Sequence, residues 1–262
     1  MKFIVCVKQV PDADKVEMDE ETGTIIREGV PTILNPFDEF ALNEAIRWRE
    51  KIEGEIIVIS MGPPQVEDTL QKCLAIGADR AIKLSDVDFA GSDTWATALT
   101  LVTAVEEIND YDIIFCGQQA IDGDTAQVGP EMANLLNIPH FTYVEEIEEL
   151  DDEKLVVRKE VDRGYQCLQQ KLPVLVACMP RSDFEPRIPG VKEIMKARKK
   201  TMESWQRGDL KLKEEEVGLD GSPTQVINIY PPPQTGDSVK IDTAPDKAAE
   251  EICSFLQSEG VS

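Results

Sequence analysis

The stretch YDIIFCGQQAIDGDTAQVGP, Tyr111 to Pro130, decides the fold. Its first six residues read as a strand, and the loop after them carries two glycines, Gly117 and Gly123, that let backbone approach a ligand closely. A helix beginning near Asp124 or Thr125 would point free N–H groups at a phosphate. Thr125 and Gln127 add side-chain donors, while Ala126, Gly129 and Ala133 let that helix pack tightly. Two carboxylates beside a pyrophosphate would repel it, so Asp122 and Asp124 read as a helix cap or as acceptors for ribose hydroxyls. The pattern is neither a Walker loop nor GxGxxG.

Outward from this loop, short apolar runs alternate with amphipathic ones. Residues 2–7, Glu55–Met61, Arg80–Leu84 and Tyr111–Cys116 read as strands. A helix is expected from Asn35 as N-cap and Pro36 at the first position, with Phe37, Phe40, Ala41, Ala45 and Trp48 on one face. Further helices are expected over Pro64–Ile76, closed by Gly77, and over Asp93–Ile108. Glu21 to Thr24 looks like a turn before an extended Ile25-Ile26-Arg27. After Pro139, Phe141–Glu149, Leu155–Val161 and Tyr165–Leu172 form an antiparallel meander, and Leu172–Met179 is one more buried strand. The fold class is therefore α/β: a doubly wound, mostly parallel sheet of the Rossmann-like nucleotide-binding kind, with an antiparallel strand extension and a C-terminal arm. Residues 1–220 form the nucleotide-binding domain. Residues 221–262, with Pro231-Pro232-Pro233 and an amphipathic helix bearing Ala248, Ala249, Ile252, Phe255 and Leu256, form a stiff arm with a docking element.

In an open parallel sheet, ligands bind beyond the carboxyl ends of the strands. Four segments converge there: Cys6-Val7-Lys8-Gln9-Val10, Asn35-Pro36-Phe37-Asp38, Met61-Gly62-Pro63-Pro64 and the loop from Gly117. Composition narrows the ligand. With 27 Lys plus Arg against 50 Asp plus Glu in 262 residues, the net charge is -23. That field disfavours nucleic acid and anionic lipid, and no apolar run reaches the length of a membrane span. The N-terminus has no signal-peptide layout, so a cytoplasmic location is expected. Six cysteines without a CxxC pair read as free thiols, and the lone His140 argues against a metal site and against triad chemistry. An adenylating enzyme would need a phosphate loop and a Lys, His or Arg cluster, and neither is present. The basic run Lys192, Lys196, Arg198, Lys199 and Lys200 stands out in so acidic a chain. It follows Pro186-Arg187-Ile188-Pro189-Gly190-Val191, an arrangement suited to docking a partner.

Val157-Arg158-Lys159-Glu160-Val161-Asp162-Arg163-Gly164-Tyr165-Gln166-Cys167-Leu168, followed by Lys171-Leu172-Pro173-Val174-Leu175-Val176-Ala177, resembles the signature of the electron transfer flavoprotein β subunit. Asn35-Pro36-Phe37, Gly77-Ala78-Asp79-Arg80, Gln119-Ala120-Ile121-Asp122 and Ile194-Met195-Lys196-Ala197 are similar to that family's other fixed blocks, and the likeness covers essentially the whole chain. Arg163 departs from the small residue usual in the signature. The resemblance implies a heterodimer with a larger α subunit that holds one FAD, the arm docking on that subunit. In ordinary members the β subunit holds AMP. Asp122 to Pro130 looks more like the electron-bifurcating members, which hold a second FAD there. It further implies NADH as electron donor, ferredoxin as one acceptor, and an acyl-CoA or other flavin dehydrogenase as the other. The redox chemistry would belong to the flavin, inside the complex. By position, the nucleotide falls to Cys6, Val7, Lys8, Asn35, Pro36, Phe37, Asp38, Met61, Gly62, Gly117, Gln118, Gln119, Ala120, Ile121, Asp122, Gly123, Asp124, Thr125, Ala126, Gln127 and Val128. Residues 181–194 resemble the family's recognition loop, which assigns partner docking to Arg187, Ile188 and Val191, with Val191 as the apolar anchor.

Overall fold

Alternating apolar residues make the strands two-sided. Phe3, Val5, Ile56, Val58, Ile113, Phe115, Val174 and Val176 bury into one core, and Ile4, Ile57, Ile59, Ile114, Leu175 and Ala177 into another on the opposite face. A sheet buried on both faces needs helices on both, and the computed structural model has that layering. It describes residues 1–12, 17–18, 25–26, 31–228, 240–258 and 260. The chain divides into two compact units, Met1–Val226 and Ile227–Ser262. The turn expected at Glu21 to Thr24, the continuation at Arg27, and Pro231-Pro232-Pro233 lie outside the described residues.

In chain order the first unit begins β1 (Lys2–Cys6), β2 (Gln9–Pro11), β3 (Glu17–Met18), β4 (Ile25–Ile26), β5 (Thr32–Leu34) and α1 (Pro36–Arg49). It continues β6 (Glu55–Met61), α2 (Val66–Ile76), β7 (Arg80–Leu84), α3 (Thr94–Ile108), β8 (Ile113–Gly117) and α4 (Val128–Leu135). Then follow β9 (His140–Leu150), β10 (Lys154–Val161), β11 (Gly164–Lys171), β12 (Val174–Cys178), α5 (Val191–Ala197) and β13 (Met202–Trp205). The main sheet has the order β11-β10-β9-β12-β8-β1-β6-β7-β13. Its seven strands from β9 to β13 pair in parallel, and β10 and β11 extend it antiparallel. The chain leaves β1 towards β6 on one side and β8 lies on the other, so β1 and β8 flank the topological switch point. The second unit contains α6 (Pro245–Ser258), with Ile252, Phe255 and Leu256 exposed. No helix among the described residues is long and apolar enough to cross a membrane.

Two local expectations are corrected, and one strand was not anticipated. The helix of the 117–130 loop starts at Val128, not near Asp124 or Thr125, because Asp124 (φ 48°) and Ala126 (φ 54°) adopt left-handed backbone that a helix cannot include. The second helix starts at Val66 rather than Pro64, since Pro63 and Pro64 form a turn closed by Val66 N–H to Pro63 O. Met202–Trp205, which has no sequence signal of a strand, pairs in parallel with β7 and caps that edge of the sheet.

Candidate functional site

At the switch point, the carboxyl ends of β1 and β8 are tied together by one buried side chain. Asp38, in the first turn of α1, accepts hydrogen bonds from Lys8 N–H and Gly117 N–H, both at 2.8 Å. Burial pushes its carboxyl up to about 6, against the lowering effect of those hydrogen bonds. Gly117 has to be glycine. A Cβ there would lie 2.5 Å from Asp38 Oδ1 and 2.6 Å from Phe37 Cβ. Asn35 occupies the N-cap position of α1, yet its side chain does not cap the helix. Instead its amide donates to Gln119 O at 2.8 Å and accepts from Ile121 N–H at 3.3 Å. Gln118 is equally buried, with its side-chain oxygen accepting from Tyr143 N–H at 2.6 Å. These contacts fix the start of the 117–128 loop from three directions.

Above that floor opens a cleft of about 1140 Å³. Its rim is chemically different. Thr125 is exposed, and the N–H groups of Thr125, Ala126, Gln127 and Val128 have no acceptor among the described residues. They sit at the N-terminal end of α4, where the helix dipole also favours an anion. Gly123 sits in open space: a Cβ added there meets nothing within 4 Å. Asp122 forms an ion pair with Lys8 at 2.7 Å, and Asp124 accepts from Gln119 Nε2 at 2.9 Å. Cys6 and Cys116 also line the cleft. Burial pushes the Cys6 thiol up to about 12 and raises that of Cys116 as well, so both are apolar, protonated contacts rather than nucleophiles.

Of the residues singled out in sequence, Cys6, Val7, Lys8, Asn35, Asp38, Met61, Gly62, Gly117 to Ala120 and Gly123 to Val128 line this cleft. Pro36, Phe37, Ile121 and Asp122 do not: Phe37 packs beneath Gly117, and Asp122 reaches the site only through Lys8. Arg187 pairs with Glu50 at 2.8 Å, while Ile188 and Val191 are 88% and 77% exposed, on a separate surface. A whole wall of the cleft went unread in the sequence. It comprises Ser85 to Val87 and Phe89 to Thr94, together with Thr97, Leu101, Gln206, Thr224 and Val226. The rule that ligands lie beyond strand ends applies to β7 as to the others and would have found Ser85 and Asp86. Nothing local marks Gln206 or Thr224.

The family defined as the electron transfer flavoprotein domain matches residues 22–210. A β subunit of electron transfer flavoprotein from Thermoanaerobacterium thermosaccharolyticum is 49% identical over 228 residues, covering 87% of this chain and 86% of the relative. The caffeyl-CoA reductase-Etf complex subunit CarD of Acetobacterium woodii is 42% identical over 263 residues, covering 100% of both chains. Protein FixA of Sinorhizobium fredii is 39% identical, covering 98% of this chain and 92% of its own.

Proposed function

This chain belongs to the electron transfer flavoprotein family as a β subunit, and from that premise we propose that it binds FAD in the switch-point cleft and works in a heterodimer with a larger α subunit. The observation that carries the FAD reading is the cleft itself. At about 1140 Å³ it exceeds the roughly 300–1,000 Å³ of a site for one drug-sized ligand, and its lining combines two chemistries. One is the rim of free N–H groups at Thr125 to Val128, suited to a pyrophosphate. The other is a wall containing Val87, Phe89, Leu101 and Val226, suited to a flat, largely apolar ring system.

In this reading the chain's residues bind and orient. The rim N–H groups hold phosphate without a lysine. Asp124 spends one oxygen on Gln119 and keeps the other for a ribose hydroxyl. Gly123 leaves the space that the phosphate-sugar backbone fills. Asp38, Asn35 and Gln118 keep the floor rigid, so little order is lost on binding. When bound, FAD supplies two-electron acceptance from NADH and one-electron delivery onward, chemistry the side chains lack. The proposed acceptors are ferredoxin and, through the α-subunit FAD, an acyl-CoA or other flavin dehydrogenase. The similarity to a subunit of a caffeyl-CoA reductase-Etf complex supports an assembly of that kind. The exposed Ile188 and Val191 beside Lys192 and Lys196 form the proposed docking surface. AMP in the same cleft is the second reading, because the rim N–H groups would serve one phosphate equally well.

A Gly123→Val substitution tests the site. The side chain enters open space, so the fold is expected to persist while bound FAD is lost on desalting. Full occupancy of the variant would overturn the assignment.

A further inference from the structure

Residues 217–226 form a strap with neither helix nor strand, and its Thr224 and Val226 line the cleft. One aspartate holds it. Asp93 Oδ2 accepts from Thr224 N–H at 2.9 Å and from Thr224 Oγ1 at 2.8 Å, while its Oδ1 caps α3 by accepting from Ala96 N–H at 3.1 Å. The Asp93 N–H donates in turn to Ser222 Oγ at 2.8 Å, and Gly218 N–H donates to Ser92 Oγ at 3.1 Å. These hydrogen bonds outweigh burial and hold the Asp93 carboxyl below its ordinary value, so the clasp carries a full negative charge at neutral pH. Leu219 packs onto Gly91, where a Cβ would come within 2.7 Å of it. Beyond the clasp, Thr224 and Val226 line the cleft, with Val226 81% exposed.

Without its clasp, a strap of this kind would have to be ordered by the ligand, and that entropy would be subtracted from the affinity. Only a ligand long enough to touch the strap would bear the cost. We propose that the Asp93 clasp is the specificity determinant that makes this cleft a dinucleotide site: closed, it walls a chamber that receives the half of the ligand beyond the pyrophosphate, and a mononucleotide held at the rim does not reach it. The proposal rests on the reading of the cleft as a nucleotide site, and it names what selects FAD over AMP there.

Asp93 also caps α3, and the neighbouring Thr94 lies 3.3 Å from Gln127 of the rim, so substituting Asp93 would disturb the rim as well as the strap. Thr224→Val combined with Ser222→Ala is cleaner, since it removes hydroxyls of the strap and leaves the helix cap intact. FAD and AMP dissociation constants would be measured on the apo heterodimer, wild type and double variant. The expected result is FAD binding weakened roughly tenfold or more, in line with loss of a charge-assisted hydrogen bond, with AMP binding changed by less than about twofold. Equal weakening of both ligands, or no weakening of FAD, would overturn the clasp as a specificity determinant while leaving the nucleotide site in place. Wild-type heterodimer that takes up no FAD in this subunit would overturn the underlying reading as well.

Discussion

Gly117 and Gly123 lie six residues apart in one loop, look alike in sequence, and do opposite work. Gly117 belongs to the floor, where a Cβ would meet Asp38 and Phe37. Gly123 belongs to the rim, where a Cβ meets nothing. The floor is a tertiary knot of hydrogen bonds that holds the switch point open. At the rim, by contrast, backbone donors are left free for something the chain does not provide. Floor substitutions should therefore register in stability and rim substitutions in ligand retention, and the two readouts should separate.

The sharpest challenge to that division is Asp38→Ala. It strands the N–H groups of Lys8 and Gly117 without their acceptor, at about 2 kcal/mol each, so a loss near 4 kcal/mol is expected in denaturant unfolding. Next comes Gly117→Ala, expected to cost about 3 kcal/mol by overpacking, whereas Gly123→Ala should stay within about 0.5 kcal/mol of wild type. Equal effects at the two glycines would erase the distinction between floor and rim.

A pH series sharpens it further. The folded-state carboxyl of Asp38 is raised from 3.8 to about 6, so between those values the folded chain binds the proton more tightly than the unfolded one. The stability this contributes is fully present below about pH 4 and is lost as pH rises through 6. Relative to Asp38→Asn, which stays neutral throughout, wild type should lose about 3 kcal/mol across that window. A difference that is flat with pH would mean that Asp38 is not the buried titrating group of the floor. The smallest effect is expected at Lys8→Met. The Lys8–Asp122 pair is 49% and 30% exposed, and its removal should change stability by less than about 1 kcal/mol.

Much of this was legible in advance where the signal is local. Apolar runs such as Glu55–Met61 and Tyr111–Cys116 marked strands, and the rule of strand carboxyl ends brought Cys6 to Lys8, Met61, Gly62 and the Gly117 loop to one place. The family resemblance added the β-subunit identity, which no periodicity carries. What escaped was decided by contacts distant in sequence. Asn35 looks like a helix cap because capping is local, yet its amide is used 84 residues away at Gln119. The strap was invisible for the same reason: Thr224 finds Asp93 across 131 residues, and locally Asp93 marks only the start of a helix. Met202–Trp205 becomes a strand only because β7 offers it an edge. The late start of α4 reflects left-handed backbone at Asp124 and Ala126, and alanine gives no warning of that conformation.

In the proposed reading, the rim and the apolar wall together hold one FAD in this subunit. Its most direct test is the flavin and AMP content of the purified heterodimer, co-expressed with the α subunit and measured after denaturation. About two FAD per heterodimer, one for each subunit, with little AMP, is the expected result. About one FAD together with one AMP would contradict it, leaving the cleft as a structural nucleotide site and this chain as the scaffold of a single-flavin carrier.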